Sequence, residues 1–540
     1  MEKVLKIDVA EHKDGKDVVI GMCKNQFKKN ASLSKDENLQ GKEKGKRKLW
    51  FKRIAVALAL VFCVSCGVVF FGVRRFVVHT ISAAPYGVNV SLYDGADSRG
   101  FSWWTSETEE SLLLLSKKQF NANEVYANKS YILIEDDASI GEGVYLLKGN
   151  NRTIKADTRL DKIFDVEYVN HSVAVKNLER NQKYYYAVGG NKHFVLGEFI
   201  TETDNITTVC NFNDFQTSDG AKLGYGAKTL SAAKGLSYTE LDFYAFGGDF
   251  SSIFSIGINR YNHYLGWMKS RESLNETIES APLMMAKGNH DLAPELFAGN
   301  LAVEFAAEEK DTHYYSFDYN NVHFVVLDSN NFSLVQQDWL KADLTEAGFG
   351  NTLWKVIMVH NGPYTTGDHG FDYDENYVKT FSSICSQYKV DLVLQAHDHT
   401  YSKTFPYIWG EDGYYQDVNK ANESVNFNPQ EIEAEGIIYD YRPNGTYYVS
   451  CGASGHRIGE NKEYAASEGE KSYSNRALKI AIGEIKVDSE YASIGDCSSA
   501  DLSLTMFGIL IVNDNKLTYS FYAVNEQGNA VLYDRLAVMK

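Results

Sequence analysis

One apolar run, at residues 54–73, covers twenty positions without a charged side chain. At about 1.5 Å of rise per residue, a helix of that length spans about 30 Å, which matches the hydrocarbon core of a bilayer. The run therefore predicts a single transmembrane helix. The alternative is a cleaved signal peptide, but the apolar region of such a peptide usually covers only about 7–15 residues.

The charges on either side of this helix predict its orientation. Residues 1–53 contain 15 Lys and Arg against 8 Asp and Glu, a net charge of +7. The positive-inside bias places this stretch in the cytoplasm, as a disordered basic tail facing anionic lipids, and places the residues after 73 outside the cell. The whole chain carries −17, so the remainder carries −24, which disfavours any nucleic-acid partner. The charge pattern thus predicts a single-pass membrane protein with an extracellular domain.

Beyond a linker at residues 74–85, the pattern of apolar positions changes twice. Over residues 86–203, short alternating runs such as GVNVSLYD and GFSWWTS are separated by turn residues, which predicts an all-β sandwich. Over residues 204–540, apolar strand-like runs alternate with helical patterns, which predicts a layered domain of the α/β (α+β) class. Residues 410–444 and 460–499 are polar and are predicted to be loop insertions, and the last apolar runs predict two or three closing strands.

Five of the predicted strands end in side chains that bind metal cations. In open α/β sheets the carboxyl ends of strands meet at one crevice, so side chains distant in the chain can converge there. Carboxylates, an amide and imidazoles together suit iron, zinc or manganese better than calcium. Six ligands exceed what one tetrahedral zinc needs, and they predict two divalent or trivalent ions that share a carboxylate. The candidate ligands are Asp214 after TTVCNF, Asp249 after LDFYAFGG, Asn289 after PLMMAKG, His360 after WKVIMV, and His397 and His399 after VDLVLQA.

Each of these residues also has an ordinary structural interpretation. An aspartate at a strand end is more often a turn or cap residue, and a histidine pair on a loop is more often a surface feature than a metal site. Seven of the chain's 13 histidines, however, fall between His290 and His399. The ordered set therefore favours a metal site over chance, and His313 and His323 are interpreted as structural.

In order along the chain, the blocks NDFQ, GGDF, GNHD, MVHNGPY and AHDH resemble those of the calcineurin-like metallophosphoesterases, specifically the purple acid phosphatase branch. The stretches SRGFSWWTS and HSVAVKNLERNQKYYYAVGG resemble the Ig- or fibronectin III-like domain that precedes the catalytic domain in that branch. The resemblance covers nearly all of residues 86–540. It implies an Ig-like domain at residues 86–203 and a layered βαββ-sandwich metallophosphoesterase domain at residues 204–540.

The resemblance also implies a role for each residue of the blocks. His290 resembles the residue that contacts the phosphate and protonates the leaving oxygen. His369, nine residues after His360, stands where this branch has a histidine that contacts the substrate. The implied ligands are Asp214 and His399 for the first metal, Asn289, His360 and His397 for the second, and Asp249 for both.

The chain departs from the family's blocks near the first metal. Purple members have a metal-bound tyrosine three residues after the bridging aspartate; Ser252 stands here instead, so no purple colour and a weaker hold on Fe(III) are expected. Other phosphoesterases have a histidine two residues after the first aspartate, where this chain has Gln216, whose amide oxygen is either a weak ligand or a hydrogen-bond acceptor. Asn213 and Ala396 replace glycines of the usual blocks.

These features predict a membrane-anchored, extracytoplasmic hydrolase resembling an acid phosphatase. It would hydrolyse a small phosphate monoester by attack of a metal-bound hydroxide at a binuclear site. A phosphodiesterase of the same superfamily is one alternative. A non-catalytic surface binding or adhesion protein is the other, because the first metal site has fewer strong ligands than in either branch of the family. Nine Asn-x-Ser/Thr sequons follow the helix, Asn89 and Asn444 among them, and would carry glycans only in a secreting eukaryote.

Overall fold

The computed structural model begins to describe the chain at residue 84. Within the described ranges, no helix is both long enough and apolar enough to cross a membrane. The predicted tail, the predicted transmembrane helix at residues 54–73 and nearly all of the linker lie outside these ranges. The described residues are 84–106, 109–155, 167–201, 205–216, 220–236, 241–250, 281–291, 294–306, 312–347, 353–364, 375–399, 401–409, 430–455 and 505–540, except residues 405, 407 and 526.

The described residues between 86 and 200 form two β-sheets and one short helix, α1 (Ala122–Ala127). The strands are β1 (Tyr86–Ser91), β2 (Arg99–Thr105), β3 (Leu112–Ser116), β4 (Ile132–Leu133), β5 (Val144–Lys148), β6 (Asn150–Lys155), β7 (Glu167–Val175), β8 (Lys183–Gly189) and β9 (Phe194–Ile200). One sheet has the order β1-β2-β7-β6 and the other β4-β5-β3-β8-β9.

The two sheets pack face to face around an aromatic and aliphatic core. Phe101 and Trp103 of β2 meet Leu113 and Leu115 of β3 in this core. Strand β3 is apolar at consecutive positions because its other face, with Leu114, is covered by α1. Side chains alternate across a strand, so an unbroken apolar run indicates burial on both faces. The assignment of this sandwich to the Ig or fibronectin III class stays a prediction.

The described residues from 206 onward form two larger sheets. The strands are β10 (Ile206–Phe212), β11 (Phe243–Phe246), β12 (Leu283–Met285), β13 (Tyr315–Tyr319), β14 (Val322–Leu327), β15 (Trp354–Val359), β16 (Leu392–Gln395), β17 (Tyr401–Lys403), β18 (Gln430–Ala434), β19 (Ile437–Tyr441), β20 (Tyr447–Cys451), β21 (Thr505–Asn513), β22 (Lys516–Val524) and β23 (Ala530–Met539). An eight-stranded sheet has the order β12-β11-β10-β21-β22-β23-β19-β18, and a six-stranded sheet the order β13-β14-β15-β16-β20-β17. Strands β10 to β12 are parallel neighbours, as are β14, β15, β16 and β20.

Helices cover the sheets from outside and leave an apolar layer between them. Val356 and Met358 of β15 point into the layer shared with the eight-stranded sheet, whereas Ile357 and Val359 pack against helices on the other face. This double burial explains the apolar run VIMV. The helices are α2 (Gly220–Gly235), α3 (Pro294–Ala298), a 3-10 helix (Ser329–Asn331), α4 (Leu334–Ala347) and α5 (Glu375–Gln387).

The prediction that residues 410–444 form a loop insertion is partly wrong. Its described part contains β18 and β19, an antiparallel hairpin that extends the eight-stranded sheet through the pairing of β19 with β23. Glu435 and Gly436 form its turn with φ of 56° and 75°, the left-handed geometry that suits a two-residue hairpin. The closing strands are confirmed as three, β21 to β23. Residues 460–499 lie outside the described part of the chain.

The β-sandwich is joined to the larger sheets by buried amides. Asn89 Nδ2 donates to the carbonyl oxygen of Asn300 at 2.8 Å, and Trp104 Nε1 donates to Oδ1 of the same residue at 2.9 Å. Asn89 is only 2% exposed, so its sequon lies inside this contact. Buried amides that find partners stabilise such a contact because unpaired polar groups are costly to bury.

Candidate metal centre

The five predicted strands are confirmed as β10, β11, β12, β15 and β16, and their carboxyl ends meet between the two sheets. His360 from the six-stranded sheet reaches two residues that follow strands of the eight-stranded sheet. Its Nε2 lies 3.0 Å from Oδ1 of Asn289 and 3.3 Å from Oδ2 of Asp249. Parallel neighbours on each side therefore place side chains distant in sequence within contact of one another.

Asp249, His360 and His397 form the tightest group of potential ligands in the described part of the chain. Their ligand atoms all lie within 4.8 Å of one another, and all three side chains are buried. Nδ1 of His360 donates to the carbonyl oxygen of Gly247 at 2.8 Å, which turns Nε2 towards the acidic group. An imidazole fixed in this way through its other nitrogen is the usual arrangement of a metal ligand.

Asp214 and His399 form a second pair beside this group. Nε2 of His399 lies 3.6 Å from Oδ1 of Asp214, and the backbone N–H of His397 donates to Oδ2 of Asp214 at 3.1 Å. Oδ1 of Asp214 is buried and accepts no hydrogen bond from the described residues. A buried carboxylate oxygen without a donor indicates a position for a cation.

Burial and mutual charge shift the pKa values of these groups in opposite directions. Burial raises the pKa of Asp214 well above its ordinary value. Burial also acts to raise the pKa of Asp249, but the charge and hydrogen bond of His360 outweigh burial, and the pKa of Asp249 is lowered. Burial lowers the pKa of His360, yet the two aspartates raise it to about 9. The site thus favours positive charge, which a proton on His360 supplies when no metal is bound.

The donor set fits metal ions. Two carboxylates, one amide oxygen and three imidazoles converge here. This mixture suits iron, zinc or manganese. The structure brings all six predicted ligands into this region, while their division between two ions stays a prediction.

The backbone is strained where these ligands lie. Thirteen described residues other than glycine have left-handed φ values, and five of them lie here: Asp214 (51°), Gln216 (42°), Asp249 (58°), His397 (77°) and His399 (53°). Residues with a Cβ avoid this region, and such strain concentrates at functional sites. The strained backbone therefore costs the loops after β10, β11 and β16 some local stability, while it directs their side chains towards the centre.

Asp291 supports the centre although its role is not evident in the sequence. Its Oδ2 accepts the backbone N–H groups of Asp249 and Gly288, each at 2.9 Å, and its Oδ1 accepts that of Phe250 at 3.2 Å. Burial, reinforced by the charge of Asp249, raises its pKa to about 6. The block GNHD contains this aspartate, but only the fold shows that it binds two ligand-bearing loops together.

Gly247 leaves room for the side chains of Asn213 and Ala396, the two residues that replace glycines of the family's blocks. Nδ2 of Asn213 donates to the carbonyl oxygen of Gln395 at 3.1 Å and so links the ends of β10 and β16. A Cβ at Gly247 would lie 2.1 Å from Oδ1 of Asn213 and 3.1 Å from Cβ of Ala396. Glycine is therefore required at position 247, because its neighbours have side chains.

The predicted substrate-contacting residues are only partly described. His290 lies at the centre, with Nε2 3.7 Å from Oδ2 of Asp249 and a side chain 20% exposed. His369 and Ser252 lie outside the described residues. Gln216 was expected to present its oxygen, but its Nε2 faces Oδ2 of Asp249 at 3.2 Å as a donor. His323 is structural, as predicted, and is held between Asp318 and Asp343.

Residues 229–401 match the family model of the calcineurin-like phosphoesterases. Purple acid phosphatase 21 of Arabidopsis thaliana is 27% identical over 251 residues, which cover 44% of this chain and 53% of that protein. The purple acid phosphatase of Glycine max is 24% identical over 254 residues, which cover 43% of this chain and 52% of that protein. This chain thus spans about half the length of these curated relatives.

A solved structure extends the likeness across both parts of the chain. A purple acid phosphatase isolated from yellow lupin (Lupinus luteus) seeds matches with a TM-score of 0.55, covering 84% of this chain and 74% of that one at 14% identity. At that identity the match shows a common fold and nothing finer, and it confirms the mixed α/β architecture predicted for the metallophosphoesterase part. The chain therefore carries a calcineurin-like phosphoesterase domain and is a relative of the purple acid phosphatases.

Proposed function

We propose that this protein is a metal-dependent phosphoesterase that hydrolyses a small phosphate monoester, as an acid phosphatase does. The observation that supports this most directly is the buried group of Asp249, His360 and His397, which lies inside the segment matching the phosphoesterase family model. A phosphodiesterase activity at the same site is the nearest alternative, because the same ligands serve both reactions.

Two metal ions, of iron, zinc or manganese, are part of the proposal. Bound there, they would lower the pKa of a water molecule and neutralise charge on the phosphoryl oxygens. The side chains hold their positions through the strand ends and the strained loops described above. The residues proposed to bind the ions are Asp214 and His399 for the first, Asn289, His360 and His397 for the second, and Asp249 for both.

His290 is proposed as the general acid. Its ring is partly exposed, and its Nε2 lies 3.7 Å from Oδ2 of Asp249. A phosphate ester bound over that carboxylate would place its leaving oxygen within reach of this nitrogen, which would deliver the proton. His369 is proposed to contact the phosphate as well.

The proposed location is the outer face of a membrane, with residues 54–73 as the anchor. The many basic residues that closely precede this run, against only Arg74 and Arg75 closely after it, support that orientation.

The purified full-length chain tests the proposal. We expect bound metal, turnover of para-nitrophenyl phosphate, slower turnover of bis-nitrophenyl phosphate, and loss of at least about a hundredfold in rate in Asp249→Asn. Asp514→Asn makes the same chemical change at an exposed turn and should retain the wild-type rate. Undiminished activity in Asp249→Asn would refute the assignment.

A non-catalytic binding protein is the second candidate. It is favoured by Gln216, which directs an N–H donor rather than a ligand atom at Asp249. Metal analysis separates the two candidates, because less than one ion per chain after incubation with iron, zinc or manganese would support the binding role.

A further inference from the structure

The loop that carries Asn289 and His290 is tied to the opposite sheet through Asn330. This asparagine belongs to the 3-10 helix after β14, whereas the loop follows β12 of the eight-stranded sheet. The two N–H groups of Asn330 Nδ2 are shared among three acceptors, of which two are the carbonyl oxygens of Lys287 at 3.3 Å and Gly288 at 3.2 Å. One amide group thus holds two consecutive peptides immediately before the two predicted site residues.

Asn330 is itself fixed by a buried ion pair. Its side chain and its backbone N–H both donate to Oδ1 of Asp328, at 3.0 Å and 3.1 Å. Oδ2 of Asp328 pairs with Nζ of Lys287 at 3.0 Å, and both side chains are buried. The loop is therefore held at Lys287 through its side chain and its carbonyl oxygen together.

The opposite side of the loop is held by carboxylates of the centre. Asp291 accepts the N–H of Gly288 at 2.9 Å, and Asp249 accepts the N–H of His290 at 2.8 Å. Gly288 has no Cβ, and one would lie 2.1 Å from Oδ1 of Asp249, so packing of a side chain cannot fix this peptide. Hydrogen bonds fix this peptide instead. Asp291 accepts its N–H on one side, and Asn330 donates to the carbonyl oxygens of Lys287 and Gly288 on the other.

We propose that Asn330 is a positioning residue that sets the orientation of Asn289 and His290 by clamping the Lys287 and Gly288 carbonyls. The hold on the loop follows from these contacts alone, whereas the effect on proton transfer from His290 rests on the proposed function. Asn330 touches neither substrate nor metal in this scheme.

Two phosphate esters reveal whether His290 is displaced. Glycerol phosphate has a basic leaving alkoxide that needs a proton, whereas nitrophenolate leaves without one. In Asn330→Ala we expect kcat on glycerol phosphate to fall about tenfold more than kcat on para-nitrophenyl phosphate, since general acid catalysis is typically worth 10²–10⁴-fold. A purely structural loss of folded protein would lower both rates equally.

Asn331→Ala is the matched control, because it removes an asparagine from the same 3-10 helix. The side chain of Asn331 donates to Oγ1 of Thr312 at 2.9 Å, and not to the carbonyl oxygens that Asn330 binds. The ratio of the two rates should stay at the wild-type value in this variant. Should Asn330→Ala fail to fold, Asn330→Ser, which is too short to reach the carbonyls, replaces it.

Hydrogen–deuterium exchange supplies a readout that does not require activity. We expect the peptide containing Gly288 and His290 to exchange at least about tenfold faster in Asn330→Ala than in the wild type or Asn331→Ala. Unchanged exchange overturns the proposal. Faster exchange with equal losses on both esters overturns the effect on His290. If the wild type cleaves neither ester, the proposed function fails, while exchange still decides whether Asn330 holds the loop.

Discussion

The side-chain amide of Gln216 donates to Oδ2 of Asp249, with 3.2 Å between nitrogen and oxygen. The backbone N–H of Gln216 also donates to the carbonyl oxygen of Asp249, at 2.9 Å. Both groups therefore act as donors to the aspartate that is proposed to bridge two metals. Gln216 competes with a cation for that carboxylate, although it occupies the position where other phosphoesterases have a histidine.

Gln216→His should increase metal binding at the first site. An imidazole at this strained backbone position replaces a competing donor with a nitrogen ligand beside Asp214. At limiting metal concentration, the number of ions bound per chain, measured by elemental analysis, should rise. Gln182→His on the β-sandwich is the control and should leave the metal content unchanged. No gain in Gln216→His would mean that the first site does not lie beside this residue.

Gly288→Ala should disrupt the centre by steric conflict. The new Cβ would lie 2.1 Å from Oδ1 and 2.2 Å from the backbone nitrogen of Asp249. We expect a loss of about 1–3 kcal/mol in the free energy of unfolding, together with loss of bound metal. Urea titration and elemental analysis measure the two effects. A Cβ at Gly235 would meet no described heavy atom within 4 Å beyond its own helix backbone and chain neighbours, so Gly235→Ala should be neutral or slightly stabilising.

His323 should stabilise the fold in a pH-dependent way. Burial lowers the pKa of this ring, but Asp318 and Asp343 outweigh it and raise the pKa from 6.5 to about 9. Because the folded pKa is the higher one, the stabilisation is fully present below pH 6.5 and is lost as the pH rises through about 9. It amounts to about 1–3 kcal/mol, since one unit of pKa corresponds to about 1.4 kcal/mol and the exposed Asp318 contributes weakly.

The measurement is the free energy of unfolding of the wild type and His323→Gln at pH 6 and pH 10. The difference between the two proteins should shrink at the higher pH. The exposed His193→Gln should differ little from the wild type at either pH. A difference for His323→Gln that does not depend on pH would contradict the ion pairs described for this ring.

The folded protein should carry no glycan at Asn89, even when a glycosylating host produces it. The side chain is 2% exposed and donates to the carbonyl oxygen of Asn300. A glycan at this position would separate the β-sandwich from the segment that follows α3. Peptide mass spectrometry of the protein purified from that host should find Asn89 unmodified, whereas Asn444 is exposed and available for modification.

Loss of the Asn89 side chain tests the same contact energetically. Asn89→Ala leaves the Asn300 carbonyl without its donor and should cost about 1–3 kcal/mol of unfolding free energy. Asn444→Ala is the control, and its unfolding free energy should match that of the wild type. A glycan found on Asn89 in folded protein would refute the contact with Asn300.

The ligand-bearing strands could be predicted from the sequence because burial on both faces leaves an unmistakable apolar run. WKVIMV and VDLVLQ contain no alternation, and the polar residue that ends each run is conspicuous. The hairpin β18–β19 gave no such signal, since its residues are largely exposed at a sheet edge. Its charged and polar positions are typical of a loop as well as of an edge strand.

The supporting residues could not be predicted because they act on the backbone. Asp291 and Asn330 bind peptide groups whose positions depend on how two sheets meet, and no spacing in the sequence encodes that. The direction of the Gln216 amide likewise depends on a left-handed φ of 42°, which a residue pattern does not reveal. Side-chain identity thus led to the chemistry proposed for the centre, whereas its rigidity follows from the fold.

Strand β10, which carries Asp214 at its end, pairs on one side with β21, so that Ile206 faces Asn513 across a sequence separation of about three hundred residues. During synthesis, this strand emerges long before its partner and exposes an unpaired edge until β21 arrives. Contacts between residues so far apart in sequence form slowly, because closing the long intervening loop costs conformational entropy before any hydrogen bond between the strands forms. The edge of β10 that leads to Asp214 therefore completes its pairing only after β21 has been made, and we expect the proposed first metal site to assemble late in folding.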